Sequence, residues 1–254
     1  MFCLRNLLLT IKYLGSAYSG WQVQANAPSV QQSLQDAVEK LFCVRENVVG
    51  CSRTDAGVHA NMYCCNIRTE SKLPCEVIVR GLNSYLPFDI SVISCQDVDY
   101  DFHARYDCTG KEYVYLIKNS PIHDPFLHGR CWNFNKHIDA EFLNSQSQAF
   151  CGTYDFKAFC SAGSSVQSTV RTVKRFSVTR EDDLIKMSVE ADGFLYNMVR
   201  IMVGTLTDIT LGRIKPDSIN DIIESLDRSR AGITAPPQGL YLNKVLYKGC
   251  EDVG

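Results

Sequence analysis

The chain has 254 residues, of which 45% are hydrophobic, and its formal net charge is −2 at pH 7. That length can bury one large hydrophobic core or two of ordinary size. The charge excludes a uniformly basic surface that coats nucleic acid without specificity, although a local basic groove stays compatible with it. No apolar run in the sequence is long enough to predict a membrane-spanning helix.

Twelve cysteines are present, with no C-x-x-C pair among them. The opening sequence MFCLRNLLLTIKYLG does not resemble a secretory signal, so we expect a cytoplasmic protein whose cysteines are free thiols buried as small hydrophobic residues. A thiol-dependent redox protein is a weak alternative. The five histidines form no H-x-x-x-H or Cys/His cluster, and no metal site is predicted.

The first half of the chain alternates strand and helix patterns. Ser29 is the predicted N-cap of the first helix, with Gln32 three residues later. The order strand, helix, strand, strand, helix, strand is typical of a ferredoxin-like, split βαβ sandwich with an antiparallel sheet. The predicted elements are a strand over 7–14, a helix over 30–41, a strand end at 48–49, a strand over 61–68, a helix over 76–85 and a strand from 90.

The second half repeats this plan without sequence repetition. An extended stretch from Phe102 is predicted to place Lys111, Tyr113, Tyr115 and Ile117 on one face of a strand. We therefore expect an α+β protein with two ferredoxin-like or RRM-like halves, residues 1–104 and 105–254, whose antiparallel sheets join across a central cleft. The further predictions are helices over 140–150, 194–211 and 218–226 and strands over 170–178, 184–191 and 240–247.

A polar turn between two apolar runs carries the first candidate site. Its sequence over residues 50–60 is GCSRTDAGVHA, which puts the carboxylate of Asp55 close to the guanidinium of Arg53. Aspartate before Ala-Gly is common in turns, where its side chain caps the backbone and Gly57 takes a positive φ. On pattern alone, a turn role for Asp55 is more frequent than a catalytic one.

The helix predicted over 194–211 carries the second candidate. Arg200 is its only charge before Asp208, among Val199, Ile201 and Met202. A guanidinium is costly to bury without a partner, so Arg200 either pairs with a carboxylate, lies at the edge of a cleft, or extends along its own stem to water.

Five segments together resemble the TruA-type transfer-RNA pseudouridine synthases over nearly the whole chain. Any one of them alone is weak, but five in the same order are specific. Ser52 stands where many members have Gly and Gln238 where His is common; neither departure removes a catalytic group. The segments are GWQVQ with SVQQSL near the start, SRTDAGVHA at 52–60, KEYVYLI at 111–117, FLYNMVRIMVGTL at 194–206 and APPQGLYL at 235–242.

The resemblance implies isomerisation of uridine to pseudouridine in the tRNA anticodon stem-loop, typically at positions 38 to 40, by a homodimer without a cofactor. It assigns the nucleophile to Asp55, the aromatic contact with the target base to Tyr113 and the partner of the aspartate to Arg200. Arg53 is expected to fill the space left by the flipped base or to bind phosphate, and Lys111 to contact the substrate.

Two steps of the chemistry stay open at this point. Asp55 could attack C1′ of the ribose or C6 of the base, and no residue is clearly assigned to remove the C5 proton. Tyr113 is a candidate for that step, although a phenol of ordinary pKa is a poor base at neutral pH. The alternatives for function are a synthase of the same fold acting on other RNA uridines and an RNA-binding protein without turnover.

Overall fold

The computed structural model of the protein describes residues 4–163 and 166–248. Within these ranges the chain forms five α-helices and ten β-strands, joined by turns and short 3₁₀ segments. The helices are α1 (Val30–Phe42), α2 (Cys75–Tyr85), α3 (Ala140–Ser147), α4 (Met198–Thr210) and α5 (Ile219–Ser225). The strands are β1 (Arg5–Tyr13), β2 (Val48–Gly50), β3 (His59–Thr69), β4 (Ile90–Val98), β5 (Cys108–Lys118), β6 (Trp132–Asn133), β7 (Gly152–Asp155), β8 (Val170–Glu181), β9 (Leu184–Ala191) and β10 (Leu240–Tyr247).

The chain divides into two compact units. Among the described residues, the first unit comprises 4–109 and 242–248, and the second comprises 110–163 and 166–241. Most of β10 therefore belongs to the unit that contains the start of the chain. The expected division into a half over 1–104 that carries the Asp55 turn and a half over 105–254 that carries the Tyr113 strand and the Arg200 helix stays a prediction.

The sheet of the first unit has the strand order β4-β1-β3-β2, and all three of these pairings are antiparallel. That order is the one predicted for a split βαβ sandwich. In the central strand β1, the side chains of Leu7, Leu8 and Leu9 are all buried, so both faces of the sheet are covered there. β10 lies next to β3.

Helix α1 shows how the sequence sets these elements. Its N-cap is Ser29, whose side-chain oxygen accepts a hydrogen bond from the backbone N–H of Gln32 at 3.2 Å, as predicted. Val30, Leu34 and Val38 recur at helical spacing and are fully buried. The helix ends at Cys43, which has the left-handed conformation with φ 58°.

The second unit contains the antiparallel strand order β5-β9-β8-β7, with β6 parallel to the end of β5. The hairpin between β8 and β9 turns at Asp182, whose φ is +53°. Each unit therefore combines a largely antiparallel sheet with helices, and the predicted α+β class is confirmed.

Helix α4 is buried around most of its circumference, as its apolar sequence predicts. Within its 13 residues, only Arg200 and Thr210 are not fully buried. The helix begins at Met198 rather than at residue 194, because Asn197 has a left-handed φ of 60° that cannot continue a helix toward the N-terminus.

One predicted extended stretch is wrong. Residues 102–107 form a hydrogen-bonded turn, and β5 starts at Cys108. The backbone N–H of Asp107 donates to the carbonyl of His103, while the Asp107 carboxylate accepts from the N–H of His103 at 2.7 Å.

Among the described residues, no helix is both long and apolar enough to cross a membrane.

Candidate active site

The turn that carries Asp55 is fixed through its backbone. The N–H of Trp21 donates to the carbonyl of Thr54 at 3.2 Å, and the N–H of Gly57 donates to the carbonyl of Tyr18 at 3.2 Å. A third bond closes the turn itself, from the N–H of Val58 to the carbonyl of Asp55 at 3.2 Å. The segment just before α1 therefore holds both arms of the turn.

Two glycines make this arrangement sterically possible. Gly20 has φ +97°, and a Cβ atom there would lie 2.3 Å from the carbonyl oxygen of Thr54. Gly57 has φ +78° and supplies the left-handed residue expected after Asp55. The close approach explains why GWQVQ and the Asp55 segment, which are distant in sequence, both carry recognisable patterns.

Side chains complete the support of the turn. The hydroxyl of Tyr13 is 2.8 Å from that of Thr54, which is buried. His59 is fully buried, and its Nδ1 accepts the backbone N–H of Gly15 at 2.9 Å. Because its Nδ1 is an acceptor here, neutral His59 carries its proton on Nε2. Asp55 itself is half-buried.

An aromatic pair lies under the strand that leads into the turn. The rings of Trp21 and Tyr63 stack with centroids 4.1 Å apart, and the Tyr63 hydroxyl donates to the carbonyl of Ser52. A Cβ atom on Gly50 would lie 2.1 Å from the Tyr63 hydroxyl oxygen, so only glycine fits there. Arg53, beyond Ser52, is exposed.

The remaining three predicted residues belong to the second unit. Tyr113 is only 7% exposed, and its ring meets that of Phe194 edge-on with centroids 5.0 Å apart. Lys111 is half-buried two residues earlier on the same strand. Tyr113 therefore has a fixed ring orientation, which suits a contact surface better than a mobile side chain.

Tyr115, on the same strand, has a structural role. It is fully buried, and its hydroxyl donates to the carbonyl of Pro236 at 2.7 Å. Burial raises its pKa well above the usual value, with the charge of Arg200 acting in the opposite direction. Its ring also fills the place of a side chain at Gly239, where a Cβ atom would lie 2.6 Å away.

Arg200 is half-buried and held by neutral oxygen atoms. Its Nε donates to the carbonyl of Ala235 at 2.7 Å, and one terminal nitrogen donates to Oδ1 of Asn197 at 2.6 Å. The Asn197 amide donates in turn to the hydroxyl of Ser161 at 3.0 Å. These contacts orient the guanidinium, in contrast to a side chain that simply extends into water.

The segment 232–235 is itself fastened to α4. The N–H of Gly232 donates to the hydroxyl of Thr205 at 2.9 Å, and the N–H of Ile233 donates to the carboxylate of Asp208 at 3.0 Å. Gly204 has no room for a side chain, because a Cβ atom would lie 1.8 Å from the carbonyl oxygen of Ile233. The carbonyl that accepts from Arg200 is thus placed by the helix that carries Arg200.

The predicted residues therefore divide by unit: Arg53 and Asp55 belong to the first, and Lys111, Tyr113 and Arg200 to the second. Sequence reasoning missed Asn197 as an orienting residue. The available signal was an asparagine three residues before Arg200, which is the spacing between an N-cap residue and the third residue of its helix.

A family model described as tRNA pseudouridine synthase matches residues 9–107 and 147–248, which is more than half of the chain. Arg53, Asp55 and Arg200 fall inside these ranges, whereas Lys111 and Tyr113 fall between them.

Curated relatives match over almost the whole chain. Proteins named tRNA pseudouridine synthase A from Thermoanaerobacter sp. (strain X514) and from Acetivibrio thermocellus are each 46% identical over 244 residues. The protein of the same name from Clostridium kluyveri is 45% identical over 246 residues. In all three cases the match covers 96% of this chain and 100% of the relative.

A solved structure titled "Crystal Structure of a Cbf5-Nop10-Gar1 Complex" matches 92% of this chain and 57% of that chain, with a TM-score of 0.38 and 11% identity. That likeness is too low to add to the sequence matches. The family model and the near full-length relatives together establish that the chain belongs to the tRNA pseudouridine synthase family.

Proposed function

We propose that the protein converts uridine to pseudouridine in the tRNA anticodon stem-loop, at positions 38 to 40, with Asp55 as nucleophile. Membership of the family makes the protein an isomerase of uridine in tRNA. The anticodon target and the role of Asp55 extend that statement. They are supported by the match of SRTDAGVHA to the family motif and by the way in which the Asp55 turn is held.

The observation that carries the role of Asp55 is the fixed turn. Backbone hydrogen bonds anchor residues 54 and 57, so the carboxylate projects from a rigid support. A nucleophile gains most from such a support when the reacting atoms must be aligned closely. An aspartate that served only to form a turn has no need of this additional anchoring.

The reaction is balanced without an external reagent. The C1′–N1 bond breaks, a C1′–C5 bond forms, the proton on C5 leaves and N1 gains a proton. Asp55 attacks either C1′ or C6, and both routes require its carboxylate to be ionised. We propose that Arg200 stabilises that charge, since Asn197 and Ala235 hold its guanidinium in a defined orientation.

The other residues are assigned to the substrate. Tyr113 contacts the flipped uracil with a ring that Phe194 holds in place. Arg53 fills the space that the base leaves or binds phosphate, and Lys111 contacts the substrate. We propose further that the enzyme acts as a cytoplasmic homodimer. Sedimentation at several protein concentrations, with and without tRNA, tests the oligomeric state.

Release of tritium from tRNA labelled at C5 of uridine tests the function. We expect release by the wild type and none by Asp55→Asn, while binding of tRNA is retained. Asp36→Asn is the matched control, because Asp36 is an exposed carboxylate of the same unit that pairs with Arg45. Sequencing of the modified tRNA then locates the product, and a product outside the anticodon arm would contradict the proposed target.

The pairing of Asp55 with Arg200 has a separate test. If the two residues act as one unit, the double variant Asp55→Asn, Arg200→Met loses no more activity than the more damaging single variant. Additive losses would contradict the pairing. Tritium release by Asp55→Asn equal to that of the wild type would instead assign the nucleophile to a different group. No release by either protein would favour an RNA-binding protein without turnover.

A further inference from the structure

A cavity of about 250 Å³ opens in the first unit, beside the strand and loop that lead into the Asp55 turn. Ser52 and Arg53 line one part of it, and Arg105 and Tyr106 line another. Two residues of extended chain span at most about 7 Å, so the cavity lies close to Asp55. Among its lining residues, only Arg53 has been given a role above as a contact with the substrate.

The inner wall of the cavity is rigid. Trp21 and Gly50 line it, and Trp21 stacks on Tyr63. Gln31 joins two wall segments, since its amide nitrogen donates to the carbonyl of Val48 at 2.9 Å and its amide oxygen accepts the N–H of Val23 at 3.0 Å. The cavity is therefore built into the fold and does not depend on a loose surface loop.

The turn over 102–107 forms the outer wall and is anchored through Ala104. Ala104 is fully buried, its N–H donates to Oδ1 of Asn66 at 2.9 Å, and its carbonyl accepts from the hydroxyl of Tyr247 at 2.7 Å. Two buried polar contacts thus fix a turn in which Arg105, Tyr106 and Asp107 are exposed.

The side chains of His103, Arg105 and Tyr106 are arranged by that turn. Nδ1 of His103 accepts the backbone N–H groups of Arg105 and Tyr106, at 3.1 and 3.3 Å. The rings of His103 and Tyr106 lie 4.2 Å apart between centroids. Tyr106 is nevertheless 76% exposed, and the guanidinium carbon of Arg105 lies 5.9 Å from its ring centroid. An exposed aromatic ring and a positive charge therefore lie side by side on a fixed support.

The charge of the cavity favours an anion. Among the described residues that line it there are two arginines and no carboxylate. Within residues 4–163 and 166–248, neither Arg53 nor Arg105 has a carboxylate at ion-pair distance, whereas the exposed Arg45 contacts both Asp36 and Glu39. Two arginines without a neighbouring carboxylate favour the binding of an anionic group of the substrate at this site.

We propose that this cavity binds one nucleotide of the substrate RNA that neighbours the target uridine, with its base stacked on Tyr106 and its phosphate bound by Arg105. The assignment rests on the proposed function, because it takes the RNA that reaches Asp55 as the ligand. Arg105 and Tyr106 act as positioning residues, since they contact a nucleotide that does not react.

Affinity for anticodon stem-loop RNA, measured in the Asp55→Asn background, tests the proposal without turnover. Tyr106→Ala is expected to weaken binding about five- to hundredfold through lost stacking, and Tyr106→Phe to bind like its parent.

Arg105→Ala is expected to reduce the slope of log Kd against log salt concentration by about 0.7 to 0.9, as for one lost phosphate contact. Matched controls are Tyr100→Ala, an exposed tyrosine of the same unit under Arg68, and Arg45→Ala.

A scan of abasic substitutions in the RNA identifies the bound nucleotide. At one neighbouring position, removal of the base is expected to weaken binding to the parent but not to Tyr106→Ala. The proposal is overturned if Tyr106→Ala and Arg105→Ala bind RNA like their controls. It is also overturned if, at every position, the loss of affinity from removing the base adds to the loss from Tyr106→Ala. Because these experiments measure binding, they test whether the cavity holds a nucleotide even if the wild type releases no tritium.

Discussion

Arg200 and Ala235 are joined in both directions: the Arg200 side chain donates through Nε to the Ala235 carbonyl at 2.7 Å, and the Ala235 N–H donates to the Arg200 carbonyl at 3.0 Å. One residue thus uses its side chain and its backbone on the same partner. The loop after residue 231 therefore helps to hold the Arg200 guanidinium in place. A substitution in this loop is expected to affect the orientation of Arg200, and a substitution of Arg200 is expected to affect the loop.

Replacing Arg200 by lysine is expected to lower both stability and activity. An ammonium group cannot make the planar pair of bonds to Ala235 and Asn197, and the buried carbonyl loses its donor, a loss of about 1–3 kcal/mol in the free energy of unfolding. Arg213→Lys is the control, because Arg213 is an exposed partner of Asp208 and its replacement is expected to cost under about 1 kcal/mol. Urea unfolding of the two variants makes the comparison, and equal losses would contradict the assigned role.

Asn197 is expected to matter through its side chain more than through its left-handed backbone. Asn197→Gly keeps the backbone conformation at φ 60° but removes the bonds to Arg200 and Ser161. We expect kcat to fall about tenfold or more, because Arg200 loses its orientation. Steady-state tritium release measures kcat, and a variant with wild-type kcat would show that the amide does not orient Arg200.

Alanine variants at Gly20 and Gly212, which both have positive φ, distinguish the effect of backbone strain alone from the effect of displacing the Asp55 turn. At Gly20 a new Cβ atom meets the Thr54 carbonyl at 2.3 Å, whereas at Gly212, with φ +69°, nothing lies within 4 Å. Both alanine variants are expected to lose about 1–2 kcal/mol of stability from strain. Only Gly20→Ala is expected to lose activity as well, by about a hundredfold in kcat, because it displaces Asp55, the proposed nucleophile. A similar kcat loss in Gly212→Ala would refute this distinction.

Stability is expected to fall in alkaline solution through the buried tyrosines. Burial raises the pKa of Tyr241 to about 12, and it also raises the pKa values of Tyr63, Tyr115 and Tyr247 well above the usual value. Between the unfolded value of about 10 and these folded values, only the unfolded chain releases the protons, so the stabilisation is complete below about pH 10 and is lost as the pH rises.

Tyr241→Phe tests the sign of this dependence. It removes one such proton and the hydrogen bond from the hydroxyl to the carbonyl of Arg130 at 2.5 Å. Between about pH 10 and pH 12, we expect the free energy of unfolding of Tyr241→Phe to decrease less steeply than that of the wild type. The difference in slope is at most about 1.4 kcal/mol per pH unit, measured by urea unfolding at each pH. A wild-type slope in Tyr241→Phe would contradict the assignment of this pH dependence to Tyr241.

The sequence patterns predict elements that local chemistry determines. The capped helix after Ser29 and the strand over 240–247 follow from side-chain capping and alternation, and the structure has both. The turn over 102–107 could not be predicted in this way, because contacts with Asn66 and Tyr247, distant in sequence, determine its shape. For the same reason Arg200 was recognisable as unusual, but its partner Ala235 was not.

The anchoring of the Asp55 turn also has a dynamic consequence. The amide protons of Gly57 and Val58 are both engaged in hydrogen bonds, and the buried Thr54 hydroxyl contacts Tyr13. We expect slow hydrogen exchange at these amides, approaching that of the central strands. A turn of this kind does not close over its substrate as a lid does. Under the proposed function, we therefore expect the rearrangement that brings a stacked uridine to the carboxylate to fall largely to the RNA, at a rate set by how readily the anticodon arm opens.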